Sequence, residues 1–358
     1  MKKYRILAIN PGSTSTKIAV FENSKPLFIK TLKHNSDELK KFANIVDQYQ
    51  FRKEAIINEL KAGDVEIESI NIVVGRGGLI KPIPSGVYEV NEAMINDLKI
   101  GISGQHASNL GGLIAADIAK SLPNVKAYIA DPVVVDELQD VARIAGHPDF
   151  KRTSIFHALN QKAIARRHAH SNGRKYEDMS IIVAHMGGGI SIGAHLYGKV
   201  IDVNNALDGD GPFTPERSGS LTVRQVVKHC FSGKYTEEDI EKMICGESGF
   251  VAYLGTNQAY EVEIKAKEGD AKSILLQNAM SYQIAKSIGE MATVLKGKVD
   301  AILLTGGIAN NKDACHYIRE MVEFIAPVIT YPGEDEMSAL AMNGLMILND
   351  ETEVKTYK

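Results

Sequence analysis

The residues best suited to chemistry gather at small-residue turns. Residues 181–203 read I-I-V-A-H-M-G-G-G-I-S-I-G-A-H-L-Y-G-K-V-I-D-V, an apolar run meeting His185, then Gly187, Gly188 and Gly189, then a second apolar run. Backbone N–H groups in such a turn can close on an anion, because nothing bulkier than hydrogen stands between amide and ligand. The chain carries the same arrangement near its start. Residues 4–9 and 17–21 have strand patterns, joined through Asn10-Pro11-Gly12-Ser13-Thr14-Ser15-Thr16, and Asn10 holds the place that His185 holds later. A further small-residue turn, Thr305-Gly306-Gly307-Ile308-Ala309-Asn310, follows the apolar run 299–304. Arg76 and Arg217 lie in glycine-containing loops of the two halves, and Asp131 and Glu336 complete the polar set with several loop histidines.

That set suits phosphoryl transfer. The transferred group spreads negative charge over its oxygens, so catalysis is mostly positioning and cationic stabilisation. Guanidinium forks match carboxylate and phosphate oxygens alike. His185 could donate to the group in flight, and Asp131 or Glu336 could hold Mg²⁺ directly or through water. Taken singly, each arginine also suits a surface ion pair, His185 a satisfied core histidine, Asp131 a helix cap and Glu336 a first-turn glutamate. Other chemistries lack their signatures. The chain has no G-x-x-x-x-G-K-[ST], no G-x-G-x-x-G with its acidic partner, no H-E-x-x-H and no G-x-S-x-G.

The elements that must position these residues repeat. Third strands over 26–32 and 200–203 follow the two hairpins, and each half then continues through helical sequence to a buried strand, over 69–74 and 299–304. Further strands are expected over 125–130 and 328–331, with helices over 110–120, 310–324 and from Asp335. Asn10, Arg76 and Asp131 stand at the carboxyl ends of strands, where ligands collect in open α/β sheets. The order βββ, helices, β, helix, β, repeated with both glycine turns in register, argues for two duplicated domains sharing one nucleotide cleft. Residues 1–136 with 340–358 are expected to form the first and 137–339 the second. Residues 36–60 read as two surface helices broken near 48–51, and 136–175 as mostly helical, with Thr153 or Ser154 as cap. Residues 271–295 read as the longest helix, buried along Ile274, Leu275, Met280, Ile284, Ile288, Met291 and Leu295.

Composition sets the outer limits. At 358 residues, 44% hydrophobic and 24% charged, the chain suits two globular domains. A net charge of −3 gives no overall attraction to nucleic acid or anionic membrane, and Arg166-Arg167-His168 reads as a solvated helix face. Cys230, Cys245 and Cys315 are odd in number and lack C-x-x-C spacing, which fits a reducing cytoplasm. Met1-Lys2-Lys3 is followed by too short an apolar run for a signal peptide, and no run is long enough to span a bilayer.

The segments I-N-P-G-S-T-S-T-K-I-A-V-F, V-G-R-G-G, A-H-M-G-G-G-I-S-I-G and L-T-G-G-I-A resemble the motifs of the acetate/butyrate kinase family. V-G-R-G-G and P-E-R-S-G-S resemble the butyrate-type branch. The resemblance covers essentially the whole chain. It implies two RNase H-like domains of the actin–Hsp70–sugar kinase fold, each a mixed five-stranded sheet flanked by helices, with an interdomain cleft. It also implies ATP-dependent phosphorylation of a short carboxylate, with butyrate the acid that the butyrate-type forms imply, with Mg²⁺, in a cytoplasmic homo-oligomer. By the same resemblance Asn10 lies near the phosphates and metal, and Arg76 and Arg217 hold carboxyl and phosphoryl groups. Asp131 is the essential aspartate and His185 the donor to the phosphoryl. His106 and His157 are further active-site histidines, although H-A-S-N stands where acetate kinases have H-N-P. Glu336 matches the metal-linked glutamate, with Glu334 a rival. Gly12, Ser13, Gly187, Gly188, Gly189, Gly306, Gly307 and Asn310 fall on the nucleotide side. Gly77 and Gly78 after Arg76, with Ala184 before His185, suggest an acyl pocket widened for a four-carbon acid. Branched-chain or acetate-preferring kinases are the near alternatives, and an actin-like ATPase or a non-catalytic nucleotide-binding regulator the distant ones.

Overall fold

The computed structural model describes residues 2–358, so Met1 of the candidate leader lies outside the described residues. The chain divides into two compact units, residues 1–135 with 335–358 and residues 136–334. The second crossing therefore comes at 335 rather than 340. Asp335 caps the last helix, Glu336–Leu348, and that whole helix belongs to the first unit.

In the first unit the strands are β1 (Arg5–Pro11), β2 (Ser15–Glu22), β3 (Lys25–Lys33), β4 (Ile72–Arg76), β5 (Val87–Glu89) and β6 (Lys126–Ala130). The second unit contains β7 (Ser180–Met186), β8 (Ile190–Leu196), β9 (Lys199–Val203), β10 (Ala301–Gly306) and β11 (Val328–Pro332), and β12 (Val354–Lys355) returns to the first. The second sheet has the order β11-β10-β7-β8-β9, with two antiparallel and two parallel pairings. The run β6-β4-β1-β2-β3 in the first sheet repeats that order and those directions. The expected duplication is present. The first sheet, however, has seven strands rather than five, because the short strands β5 and β12 extend its β6 edge. Strands of two or three residues carry too little alternation to be read from sequence.

Three other expectations need correction. The helix of the 36–60 stretch runs Tyr49–Ala62 directly after a 3₁₀ turn at Ile45–Gln48, so the break falls at residues 40–44. That helix is also no mere surface element, since Arg52, Ile56 and Leu60 are buried along one face. Between residues 136 and 157 the chain is mostly irregular, and the α-helix begins only at Ala158 with His157 as N-cap, not Thr153 or Ser154. Arg152 ties this irregular segment to β9, donating to the Ala142 carbonyl within it (2.7 Å) and to the Val203 carbonyl at the end of β9 (3.2 Å). Along Ala271–Val294, Met280, Ile284, Ile288 and Met291 are buried, while Ile274 and Leu275 are exposed. The buried face enters the first turns at Ser273, Leu276 and Gln277, which leaves Leu275 well round the helix from Met280.

Helix Asn109–Lys120 packs backbone against backbone on β4, immediately beneath Arg76. A Cβ on Gly75 would stand 2.3 Å from the Gly111 carbonyl oxygen, and one on Gly111 2.3 Å from that of Arg76. Gly75→Ala should therefore cost about 1–3 kcal/mol of stability through overpacking. Urea unfolding of the variant checks this; an unchanged midpoint would mean that the helix can move away without loss.

Candidate active site

In the first unit, strand register places the polar residues. Ile9 pairs with Gly75 across parallel β1 and β4, which sets Asn10 beside Arg76, and Arg76 pairs with Ala130, one residue before Asp131. Asn10 Nδ2 donates to Glu336 Oε2 at 2.5 Å, and Arg76 Nη1 donates to Asn10 Oδ1 and Glu336 Oε2, both at 3.2 Å. Three residues far apart in sequence thus form one cluster of cation, carboxylate and carboxamide. Asp131 is buried at a φ of +38°. Its Oδ1 accepts from the Gly86 amide at 2.8 Å while its own amide donates to the Gly86 carbonyl at 3.0 Å, so it clamps that loop to the strand end. The exposed His106 has Nδ1 at 2.8 Å from Ser108 Oγ.

Gly77 and Gly78 do not open a pocket. Both are buried, and a side chain at Gly77 would meet Pro132 Cβ at 2.5 Å, at Gly78 Asn109 Oδ1 at 2.4 Å. Their lack of side chains permits close packing and leaves no room for an acyl group. Ala184 is likewise fully buried in the core of the second unit, among residues such as Ile182, Met186 and Ile192. The widened-pocket argument from these three residues therefore fails.

The second unit carries the histidines. His185, near the end of β7, stacks on His157 with ring centroids 3.9 Å apart and 13° between planes. His185 Nδ1 lies 2.9 Å from Asn160 Oδ1, an acceptor, so that nitrogen bears the proton, and Nε2 faces Glu334 Oε1 at 3.2 Å. His157 Nδ1 is 2.9 Å from Ser191 Oγ, which Gln161 Nε2 also meets at 2.8 Å. Beyond Gln161 lies the buried His195, whose Nε2 is 2.9 Å from Gln161 Oε1; burial pushes its pKa well down. Glu334 thus stands with His185, whereas Glu336 stands with Asn10 and Arg76.

The glycine turn is closed by its neighbours. A Cβ on Gly189 would lie 2.4 Å from Arg217 Nη1 and 3.1 Å from His157 Cε1, so a side chain there would have to displace the Arg217 guanidinium. Thr214 Oγ1 donates to the Gly188 carbonyl at 2.7 Å, fixing the orientation of that peptide. Arg217 Nη1 donates to the Ala206 carbonyl at 2.5 Å, while its buried Nε has no hydrogen-bond partner among the described residues. A guanidinium with an unused donor can take an anion. Gly306, at φ +92°, would set a Cβ 2.3 Å from the Met186 carbonyl oxygen. Next to it, Gly307 and Asn310 line a cavity of about 210 Å³ with Phe250, Tyr260, Gln277 and Ile308.

Arg52, Asn160 and Thr214 join these clusters without being among the residues expected from the sequence. Asn160 and Thr214 carried no signal that separates them from ordinary polar residues. Arg52 did, because it shares the i, i+4, i+8 row with Ile56 and Leu60, an unusual place for a cation.

The fold and these residues define the class. The model of the acetokinase family matches residues 150–355, and the chain belongs to that family of carboxylate kinases, which use ATP/ADP as co-substrate. Among particular proteins it is similar to Butyrate kinase 2 of Clostridium acetobutylicum, 58% identical over 99% of this chain and 100% of that one. Butyrate kinase 1 of the same organism is 57% identical over the same shares. Among solved structures, Porphyromonas gingivalis acetate kinase has a TM-score of 0.79 at 20% identity, covering 96% of this chain and 100% of its own. At that identity the likeness speaks for the actin-like ATPase fold alone.

Asn160 fixes the orientation of the His185 ring, so Asn160→Ala should lower kcat by about tenfold or more with little change in KM for ATP. Steady-state kinetics decide it; native kcat would show that the ring needs no anchor.

Proposed function

We propose that this chain transfers the γ-phosphoryl group of ATP to butanoate, giving ADP and butanoyl phosphate, and catalyses the reverse. The observation that carries the proposal is the 57–58% identity, across essentially the full length, to two proteins named butyrate kinase. The reaction is a direct in-line displacement. A carboxylate oxygen attacks the γ-phosphorus as the bond to the β-phosphate bridging oxygen breaks, and that oxygen leaves on ADP. Arg76 and Arg217 hold the carboxylate and the transferring oxygens, and the Nε left open on Arg217 supports that role. His185, aligned through Nδ1 by Asn160, donates to the same oxygens through Nε2 as the doubly protonated ring, with His157 and His106 beside the substrate and Asp131 ordering the Gly86 loop. The turns Gly12–Ser13 and Gly187–Gly189 take the phosphates, and Gly306, Gly307 and Asn310 the nucleoside, whose size suits the cavity at Gly307.

Mg²⁺ belongs to the same proposal. Among the described residues no group of three metal-ligating side chains occurs, which suits an ion that keeps its waters and phosphate oxygens. Glu336 and Asn10 would hold it, and it would neutralise charge on the phosphates. We also propose a cytoplasmic homo-oligomer without nucleic-acid or membrane partners. In support, Arg166 and Arg167 lie over the rings of Tyr176 and Tyr331, the three cysteines are free thiols, and no described helix is long and apolar enough to cross a membrane.

Trapping acyl phosphate as hydroxamate tests the reaction. Product should require both ATP and acid, with kcat/KM rising about fourfold per methylene from acetate to butyrate. A preference for acetate or isobutyrate would overturn the choice of acid, and ATP hydrolysis independent of any carboxylate would overturn the reaction.

A further inference from the structure

We propose that Arg52 is the positioning residue of the first phosphate turn, a buried cation that turns two backbone amides toward the nucleotide. This rests on the kinase reading above. The Arg52 side chain is wholly inaccessible and makes six hydrogen bonds. Nη1 donates to the carbonyls of Gly12 (2.8 Å) and Ser15 (3.0 Å) and to Thr16 Oγ1 (3.1 Å). Nη2 donates to the Ser13 carbonyl at 3.0 Å and to Gln48 Oε1 at 2.8 Å, and Nε to Gln48 Oε1 at 3.1 Å.

A trans peptide is planar, with its C=O and N–H pointing opposite ways. Drawing the Gly12 and Ser13 carbonyls inward onto the guanidinium therefore turns the Ser13 and Thr14 amides outward. Both residues are exposed, and neither amide donates to a protein atom among the described residues. The turn is thus set as a pair of free donors. No carboxylate among the described residues pairs with Arg52, so its charge stands behind those donors uncompensated. Burial pulls its pKa down to about 10, which still leaves it protonated at neutral pH. The neighbouring His34, 2.8 Å from Thr16 Oγ1, is pushed toward its neutral form by burial and by Arg52.

The second hairpin shows that shape alone does not need a cation. There the neutral Thr214 hydroxyl holds the Gly188 carbonyl, and the Gly188 and Gly189 amides likewise find no protein acceptor among the described residues. A buried cation held only by neutral oxygens is costly in the free protein, and an arriving polyphosphate offsets that cost. Arg52 therefore favours the nucleotide-bound state, and its hydrogen bonds reach only Gln48 and the turn, none of the residues proposed to hold the carboxylate.

The test compares Arg52→Lys and Gln48→Leu with the unaltered chain. Lysine keeps the charge but loses the fork, and leucine at 48 keeps the guanidinium but frees its orientation. In Arg52→Lys, KM for ATP and for ADP should rise about tenfold or more, with KM for the carboxylate within about twofold. Gln48→Leu should raise KM for ATP by about threefold, again without effect on the carboxylate. Native ATP affinity in Arg52→Lys, or both KM values rising together in step with a lowered Tm, would overturn the proposal. Should Arg52→Lys fail to fold, Gln48→Leu decides, since unchanged ATP affinity there overturns it equally. If the unaltered chain makes no acyl phosphate from ATP, the kinase reading itself falls; activity in that chain with native-like variants removes only the role of Arg52.

Discussion

The proposed phosphate turns depend on leaving backbone amides without a protein acceptor at the tips of two hairpins. A sheet satisfies nearly all of its N–H groups, so free ones must be made by turning peptides out of the ladder and holding them there. Carbonyls held from behind accomplish this. Arg52 holds those of Gly12, Ser13 and Ser15, and Thr214 holds that of Gly188. Small residues follow from the same constraint. At Gly189, Arg217 and His157 already occupy the space a side chain would need. The glycines are thus sites of close approach as much as of flexibility.

Around each tip the strand ends add charge. Parallel register brings Asn10 and Arg76 side by side at the ends of β1 and β4, and the first turn of the last helix lays Glu336 against both. In the second unit His185 and Thr305 are register partners, and the stacked His157 shares the tip with Arg217. The two units repeat one topology but not one chemistry. The first supplies a cation–carboxylate cluster, the second a pair of imidazoles fixed by Asn160 and Ser191. In the proposed reaction the first kind of group would neutralise charge and the second would hold protons in place.

Much of this was legible in the sequence because glycine turns between β-branched runs have few structural meanings. The hairpins, the duplicated strand order and the residues at strand ends could all be read that way. What could not be read was side-chain direction. Gly77, Gly78 and Ala184 looked like room for an acyl chain, yet Pro132, Asn109 and the core of the second unit already fill the space beside them. Residues 136–157 looked helical by composition, but carbonyls among them are held by the side chains of Arg143 and Arg152, which no local propensity reports. Arg52 breaks the apolar pattern of its helix, and that mismatch between charge and periodicity is the sequence signal of the buried cation behind the first turn.

The most direct measurement is a crystal structure of the chain with a non-hydrolysable ATP analogue. Phosphate oxygens should lie within hydrogen-bonding distance of the Ser13 and Thr14 amides and of the Gly188 and Gly189 amides. Phosphates bound elsewhere, with water on all four amides, would contradict the assignment of both turns to the phosphates.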